Sequence, residues 1–194
     1  MKKAIDIVLL PPDDIIDMVV EINNEAYSQG KATIKLGKND RIPHLSLLMG
    51  VMDENDLEAI SAKMTEIAKK FKPIKLTFNR FRMTCFWTKN EGVVRELHEL
   101  LVKEIDPLLG HDAKKEMYDE TPEAELEDNF YHWVNEFVNL YSFNQFGPHI
   151  TVHAPDAMLK PYIPFSCTFD RFALTHLGKK NLPRKILIET KLDK

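Results

Sequence analysis

The chain is poor in several residue types, and each shortage closes off a class of protein. Two cysteines in 194 residues, Cys85 and Cys167, cannot supply a disulfide framework. Both sit in apolar, strand-like sequence, which predicts packed thiols in a reduced, cytoplasmic protein. Seven glycines and 11 prolines are too few for a low-complexity or fibrous chain. No apolar run reaches the length of a membrane span, so no membrane partner is expected. The basic start Met1-Lys2-Lys3 precedes a short apolar run, but Asp6 interrupts it and no small-residue cleavage site follows. A first strand is the better reading than a signal peptide. Excess positive charge is also missing, since 26 Lys and Arg face 30 Asp and Glu for a net charge of −4. That balance argues against a surface that coats nucleic acid, while a local basic cleft for a small phosphate needs only a few donors.

What is present is a mixture of strand and helix patterns. Ala4 to Leu10 reads as a strand closed by Pro11-Pro12. Ile15, Val19, Ile22 and Ala26 form a helical stripe that ends near Gln29-Gly30. After a polar loop from Lys31 to Arg41, a strand is predicted from Pro43 to Met49, stopping at Gly50. Asp53 caps a helix with Leu57, Ile60, Met64, Ile67 and Phe71 on one face. Ile74, Leu76 and Phe78 alternate as a strand, Asn79-Arg80-Phe81 leads onward, and Met83 to Thr88 forms the next strand.

Asn90 caps a helix carrying Val93, Val94, Leu97, Leu100 and Leu101. Thr121-Pro122-Glu123 starts another, with Leu126, Phe130, Trp133, Phe137 and Tyr141 as its stripe. Glu123, Glu125, Glu127 and Asp128 give that helix a solvated acidic face. Proline-rich sequence then leaves room for only short structure before closing strands at Phe165 to Leu174 and Ile186 to Thr190. Strands joined by hairpins and mixed with helices favour an α+β fold over a parallel α/β sheet.

Two stretches echo each other: Pro43-His44-Leu45-Ser46-Leu47 and Pro148-His149-Ile150-Thr151-Val152. Histidine and hydroxyl recur at one offset, 149 − 44 = 151 − 46 = 105. On a strand, alternate side chains share a face, so His44 and Ser46 point one way while Leu45 and Leu47 enter the core. His149 and Thr151 repeat the arrangement over Ile150 and Val152, and His153 falls on the same face. The pattern predicts one cleft with an imidazole and a hydroxyl donor on each wall. The competing explanation is that both are ordinary strand histidines with satisfied hydrogen bonds.

The paired motifs resemble those of the 2H phosphoesterase superfamily, which includes the 2'-5' RNA ligase and 2',3'-cyclic phosphodiesterase proteins. The resemblance implies a single domain over residues 1–194, made of two pseudo-symmetric lobes with antiparallel sheets lining a central cleft and helices outside. It implies an enzyme acting on 2',3'-cyclic or 2'-5' phosphodiesters of RNA or nucleotides, with 2'-5' ligation as the reverse reaction. His44 and His149 would be catalytic, with His149 activating water and His44 protonating the leaving oxygen. Ser46 and Thr151 would bind the phosphate, with His153 as an accessory. The scheme requires no metal and no cofactor, and a monomer is expected.

Two departures stand out: an extra acidic helix before the second motif, and a short proline-rich segment after it where the family usually has a helix. A non-catalytic RNA- or nucleotide-binding module of the same fold, and a histidine-based metal-dependent hydrolase, are the alternatives. His98 and His111 are expected at the surface, and His132 in packing or solvent. Arg80 and Arg82 are read as exposed hairpin charges that can reach a phosphate.

Overall fold

The structure is a computed structural model that describes residues 1–88, 92–119 and 130–192. Strand β1 (Lys2–Leu10) leads into helix α1 (Asp13–Ser28), whose first turn carries Asp13 and Asp14 against the positive helix end. Its predicted stripe of Ile15, Val19, Ile22 and Ala26 is buried, and Gly30 leaves the helix at φ +67°. Strand β2 (Leu45–Asp53) follows the loop. It begins after His44 and runs past Gly50, because a side chain at Gly50 would meet Leu109 at 2.9 Å. That glycine marks a close approach inside the strand, not its end.

Asp53 accepts the amide of Asn55 and opens a single 3-10 turn, which passes into α2 (Leu57–Ala68). Strands β3 (Ile74–Arg82) and β4 (Cys85–Thr88) form a hairpin, followed by α3 (Gly92–Ile105). The strand expected from Met83 thus starts two residues later. Met83 and Thr84 form the turn at φ +52° and +63°, the left-handed pair that a tight hairpin needs.

Asn90 and the expected helix start from Thr121 to Asp128 lie outside the described residues. Beyond them the stripe divides into α4 (Phe130–Asn135) and α5 (Phe137–Tyr141), broken at Glu136. Phe130, Val134 and Phe137 are buried, but Trp133 is exposed and stacks on Tyr141. The second motif supplies β5 (His149–Thr151), followed by the short α6 (Asp156–Leu159). The closing run expected from Phe165 to Leu174 is two strands, β6 (Phe165–Phe169) and β7 (Arg171–Leu177), before β8 (Pro183–Lys191).

All pairings are antiparallel, in two four-stranded sheets ordered β2-β1-β7-β8 and β5-β4-β3-β6. This is an α+β architecture with one motif on an edge strand of each sheet. The break at Asp170 is where the chain crosses between them, since β6 pairs with β3 and β7 with β1. One apolar cluster includes Ile5, Ile7 and Leu47 of the first sheet and Phe78, Phe86 and Ile150 of the second. No helix among the described residues is long and apolar enough to cross a membrane.

Candidate functional site

Each motif is set by a local device as well as by strand alternation. In β2 the pairing with β1 slips between Ile7 and Val8, leaving Leu47 as the extra residue of a bulge. The bulge lets Leu47 and Leu48 both be buried while Ser46, paired with Val8, falls on the face of β1 that carries Asp6. In the other sheet β3 slips against β4 between Phe78 and Arg80. Simple alternation would put Arg80 on the buried face with Ile74, Leu76 and Phe78, and the bulge turns it outward instead.

Paired residues of antiparallel strands share a face. Register therefore creates the rows Arg80–Trp87–His149 and Arg82–Cys85–Thr151, with Phe81–Phe86–Ile150 on the opposite, buried side. Trp87 stacks on His149 at 4.4 Å between ring centroids, and its indole N–H donates to the carbonyl of Arg82 at 2.9 Å. A side chain at Gly147 would strike that indole at 2.8 Å. The strands β3, β4, β5 and β6 carry no aspartate or glutamate, although the chain as a whole is acidic. Arg80 and Arg82 are exposed as expected, and neither is ion-paired among the described residues.

The two motif histidines make the same bond. His44 Nδ1 lies 2.8 Å from the carbonyl of Ile42, and His149 Nδ1 lies 2.8 Å from that of Gly147, two residues back in each case. A carbonyl only accepts, so Nδ1 carries the hydrogen and Nε2 of each neutral ring is left bare. His44 is buried and His149 half-buried. Burial takes His44 down to about 4, opposed by the Ile42 bond and helped by repulsion from His149 and His153. The strands that follow His44 and begin at His149, β2 and β5, are in contact. Burial also lowers His149, opposed by its bond to Gly147.

The hydroxyls differ. Ser46 Oγ is 2.6 Å from Asp6 Oδ2, whereas Thr151 Oγ1 lies 3.5 Å from the Cys85 sulfur. Asp6 is fully buried, and burial raises its pKa well above the ordinary carboxylate value. The sequence marked Asp6 only as an interruption of an apolar run.

His153 lies beyond the end of β5, at φ +54°, so the chain has turned before it and strand alternation does not place it. Its Nε2 is buried without a hydrogen-bond partner, and burial followed by the nearby Lys180 charge takes it down to about 4. Left-handed non-glycine residues cost roughly 1–2 kcal/mol each. Of the seven among the described residues, Arg41, Phe143 and His153 flank the motifs in sequence, and the Met83-Thr84 pair meets the second motif through Thr84. The touching pair is pinned: Val152 N–H donates to Thr84 O at 2.9 Å, and Thr84 N–H donates to Asp156 Oδ1 at 3.0 Å. Buried Asn23 of α1 holds the other side of Val152, donating to its carbonyl at 3.0 Å and to that of Ile34 at 3.1 Å.

His98 corrects a sequence expectation, being fully buried on α3 and not at the surface. Its Nδ1 lies 2.6 Å from Leu47 O, and its Nε2 accepts the amide of Phe143 at 3.1 Å. It therefore bridges the first motif and the segment leading to the second. His111 is exposed and paired with Asp106 at 3.0 Å, and His132 is exposed.

Burial lowers five imidazoles, those of His44, His98, His149, His153 and His176. The unfolded chain therefore binds more protons below its own value near 6.5, and stability is lost as the pH falls through that value. Each histidine that stays neutral contributes a slope of up to about 1.4 kcal/mol per pH unit. Raised Asp6 works oppositely, costing stability as the pH climbs above the unfolded value of 3.8. Urea midpoints are expected to drop steadily from pH 7.5 to 5, and a flat profile contradicts the neutral buried rings.

No family model matches this sequence, and no curated protein does. Solved structures match over nearly its whole length. A Thermus thermophilus protein is 17% identical, with a TM-score of 0.60 and 97% of each chain covered. Escherichia coli LigT crystallised with NADP+ is 15% identical, with a TM-score of 0.55, covering 99% of this chain and 98% of its own. LigT with 3'-AMP gives 12% identity and a TM-score of 0.52, with 99% of both chains covered. Two four-stranded antiparallel sheets, matched over nearly the whole chain by these structures, give this protein the two-lobed fold of LigT.

Proposed function

We propose that the protein is a metal-independent phosphoesterase acting on 2',3'-cyclic or 2'-5' phosphodiester bonds of RNA or nucleotides, with His44 and His149 as its acid–base pair. The observation that carries this reading is the duplicated Nδ1–H···O=C bond, which gives both rings the same tautomer and leaves both Nε2 atoms free to exchange a proton. Breaking a phosphodiester needs one base for the attacking oxygen and one acid for the leaving oxygen. Histidine is the side chain whose ordinary pKa supports both near neutrality. A bound phosphodiester anion favours the protonated ring and lifts the lowered values back toward the working range.

The Thr151 hydroxyl has only the weak Cys85 sulfur beside it, 3.5 Å away, while the single thiol hydrogen has the Met83 carbonyl within 3.2 Å, so the Thr151 O–H can turn to a phosphoryl oxygen at little cost. Arg80, Arg82 and the aromatic face of Trp87 lie on the same side of the sheet as His149, and cations with a stacking surface suit a nucleotide's phosphate and base. The LigT structures with NADP+ and 3'-AMP show phosphate-bearing nucleotides bound to a protein of this fold.

The test is a hydrolysis panel of 2',3'-cyclic mononucleotides, 2'-5' dinucleotides and cyclic-phosphate-ended RNA, run with and without chelator. Turnover of at least one class, indifferent to the chelator, is expected. Binding of the panel with no turnover identifies a non-catalytic module instead, and activity abolished by chelator identifies a metal-dependent hydrolase.

A further inference from the structure

The two halves of the site are matched in their histidines but not in what stands behind them. Behind the second motif is the Cys85 thiol, which burial keeps neutral and whose sulfur lies 3.5 Å from Thr151 Oγ1 and 3.2 Å from the Met83 carbonyl. Behind the first is Asp6, fully buried in the middle of β1. Its Oδ2 is 2.6 Å from Ser46 Oγ and 3.8 Å from His44 Nε2. Its Oδ1 has no hydrogen-bond partner. The Ser46 hydroxyl and the backbone N–H groups of Leu47 and Leu48 support its ionised form, but burial outweighs them, and a protonated His44 is a cation within reach that can offset the rest.

Resting on the reading of His44 and His149 as an acid–base pair, we propose that Asp6 is a positioning residue of the first motif. It shares a single proton with His44, and that sharing makes His44 the acid. Two placements of the proton carry the same total charge. With the proton on Asp6, its O–H donates to Ser46 Oγ, Ser46 turns its own O–H outward, and His44 is neutral. With the proton on His44, Ser46 donates inward to the Asp6 carboxylate, and the imidazolium is armed to protonate a leaving oxygen. Donor and acid are thus alternative states of one cluster, coupled through the Ser46 hydroxyl. No carboxylate bonds the hydroxyl of the second motif: where Asp6 contacts Ser46, the side chain that contacts Thr151 is the Cys85 thiol. His149 therefore lacks a fixed counter-charge and suits the base.

Among the described residues no other carboxylate is ion-paired with His44. Across β1, Asp6 is paired with Met49 of β2 and with Thr175 of β7, whose hydroxyl donates to the Asp6 carbonyl at 2.9 Å. The other titratable groups that act on His44 are His149 and His153, and both repel its charge. Asp6, 3.8 Å from His44 Nε2, is the group placed to oppose them once it is ionised.

The test is NMR titration of the histidine rings with saturating inorganic phosphate, comparing wild type with Asp6→Asn. Asparagine keeps the size and can still bond Ser46, but it carries no exchangeable charge. His44 is expected to titrate lower in the variant by about one pH unit or more, as for loss of an opposite charge within a few ångströms. His149 should move much less. In kinetics, the alkaline limb of kcat/KM should shift down by a similar amount, with kcat falling more than KM changes. An unchanged His44 titration overturns the inference.

A variant-free measurement covers the case in which Asp6→Asn does not fold. In wild type, the ¹³C signal of the Asp6 carboxyl should move in step with the His44 ring, as a coupled pair does. Independent titration near the ordinary aspartate value overturns the proposal. The NMR result needs no turnover. Failure of the phosphoesterase reading would appear instead as no turnover of the substrate panel by the wild type, with its Asp6–His44 coupling intact.

Discussion

Replacing His44 or His149 by alanine is expected to lower kcat/KM by about 10²-fold or more each, on whichever phosphodiester the protein turns over. The double replacement should cost far less than the product of the two, because an acid and a base that serve one reaction act as a unit. Each imidazole is tied to a carbonyl two residues back, so removal leaves a backbone acceptor without its donor. His149 is half-buried, and loss of activity with a wild-type urea midpoint is expected on its removal. His44 is buried, so His44→Ala should also lose roughly 1–3 kcal/mol for the stranded Ile42 carbonyl and is assayed where it remains folded.

The pH profile of the wild type should be bell-shaped, with limbs that belong to the coupled site rather than to either ring. Ser46→Ala and Thr151→Ala should be milder, since each removes one donor among several. His153→Ala should be modest, because its orphaned Nε2 supports nothing else. Full activity after His44→Ala or His149→Ala would show that the paired motifs are structural.

The features legible in the sequence are those written in local periodicity. The stripes of α1 and α2, the alternation of β3 up to Phe78, and the burial of Leu45, Leu47, Ile150 and Val152 under the motifs all follow from spacing alone. What escaped depends on partners far along the chain. Asp6 meets Ser46 forty residues away, and its role is invisible until β1 and β2 are in register.

Arg80 reaches the face of His149 only through a bulge, and nothing in Asn79-Arg80-Phe81 announces which residue is the extra one. The closing run reads as a single strand because Phe165 to Leu174 stays rich in β-formers. Its division at Asp170 belongs to the sheet exchange, a tertiary event. The Met83-Thr84 turn lacks the Gly or Asn that would signal it, and contacts from Asp156 and Val152 hold it instead.

His98 is the clearest case of a residue whose local context misleads, and it gives the largest expected stability effect. On a helix with Glu96 and Glu99 beside it, the histidine reads as surface, yet its ring is fully buried and lies flat on Phe146 at 4.1 Å. Leu47 O can only accept and Phe143 N–H can only donate, so the two bonds fix one neutral tautomer with no freedom left. His98→Ala removes the ring and strands both backbone groups away from water. Each stranded group costs about 1–3 kcal/mol, and the cavity adds to that, so a loss of about 3 kcal/mol or more is expected.

Glutamine at this position has an acceptor for Phe143 but cannot also place its amide at Leu47, so His98→Gln should fall between wild type and alanine. Because Leu47 is the bulge residue beside Ser46, and Phe143 begins the approach to His149, activity should fall with stability in the same order. Urea denaturation at pH 7.5 measures the first and the hydrolysis assay the second. An alanine variant within about 1 kcal/mol of wild type would mean that the bridge contributes less than a single buried hydrogen-bond partner, and that the two motifs are aligned without it.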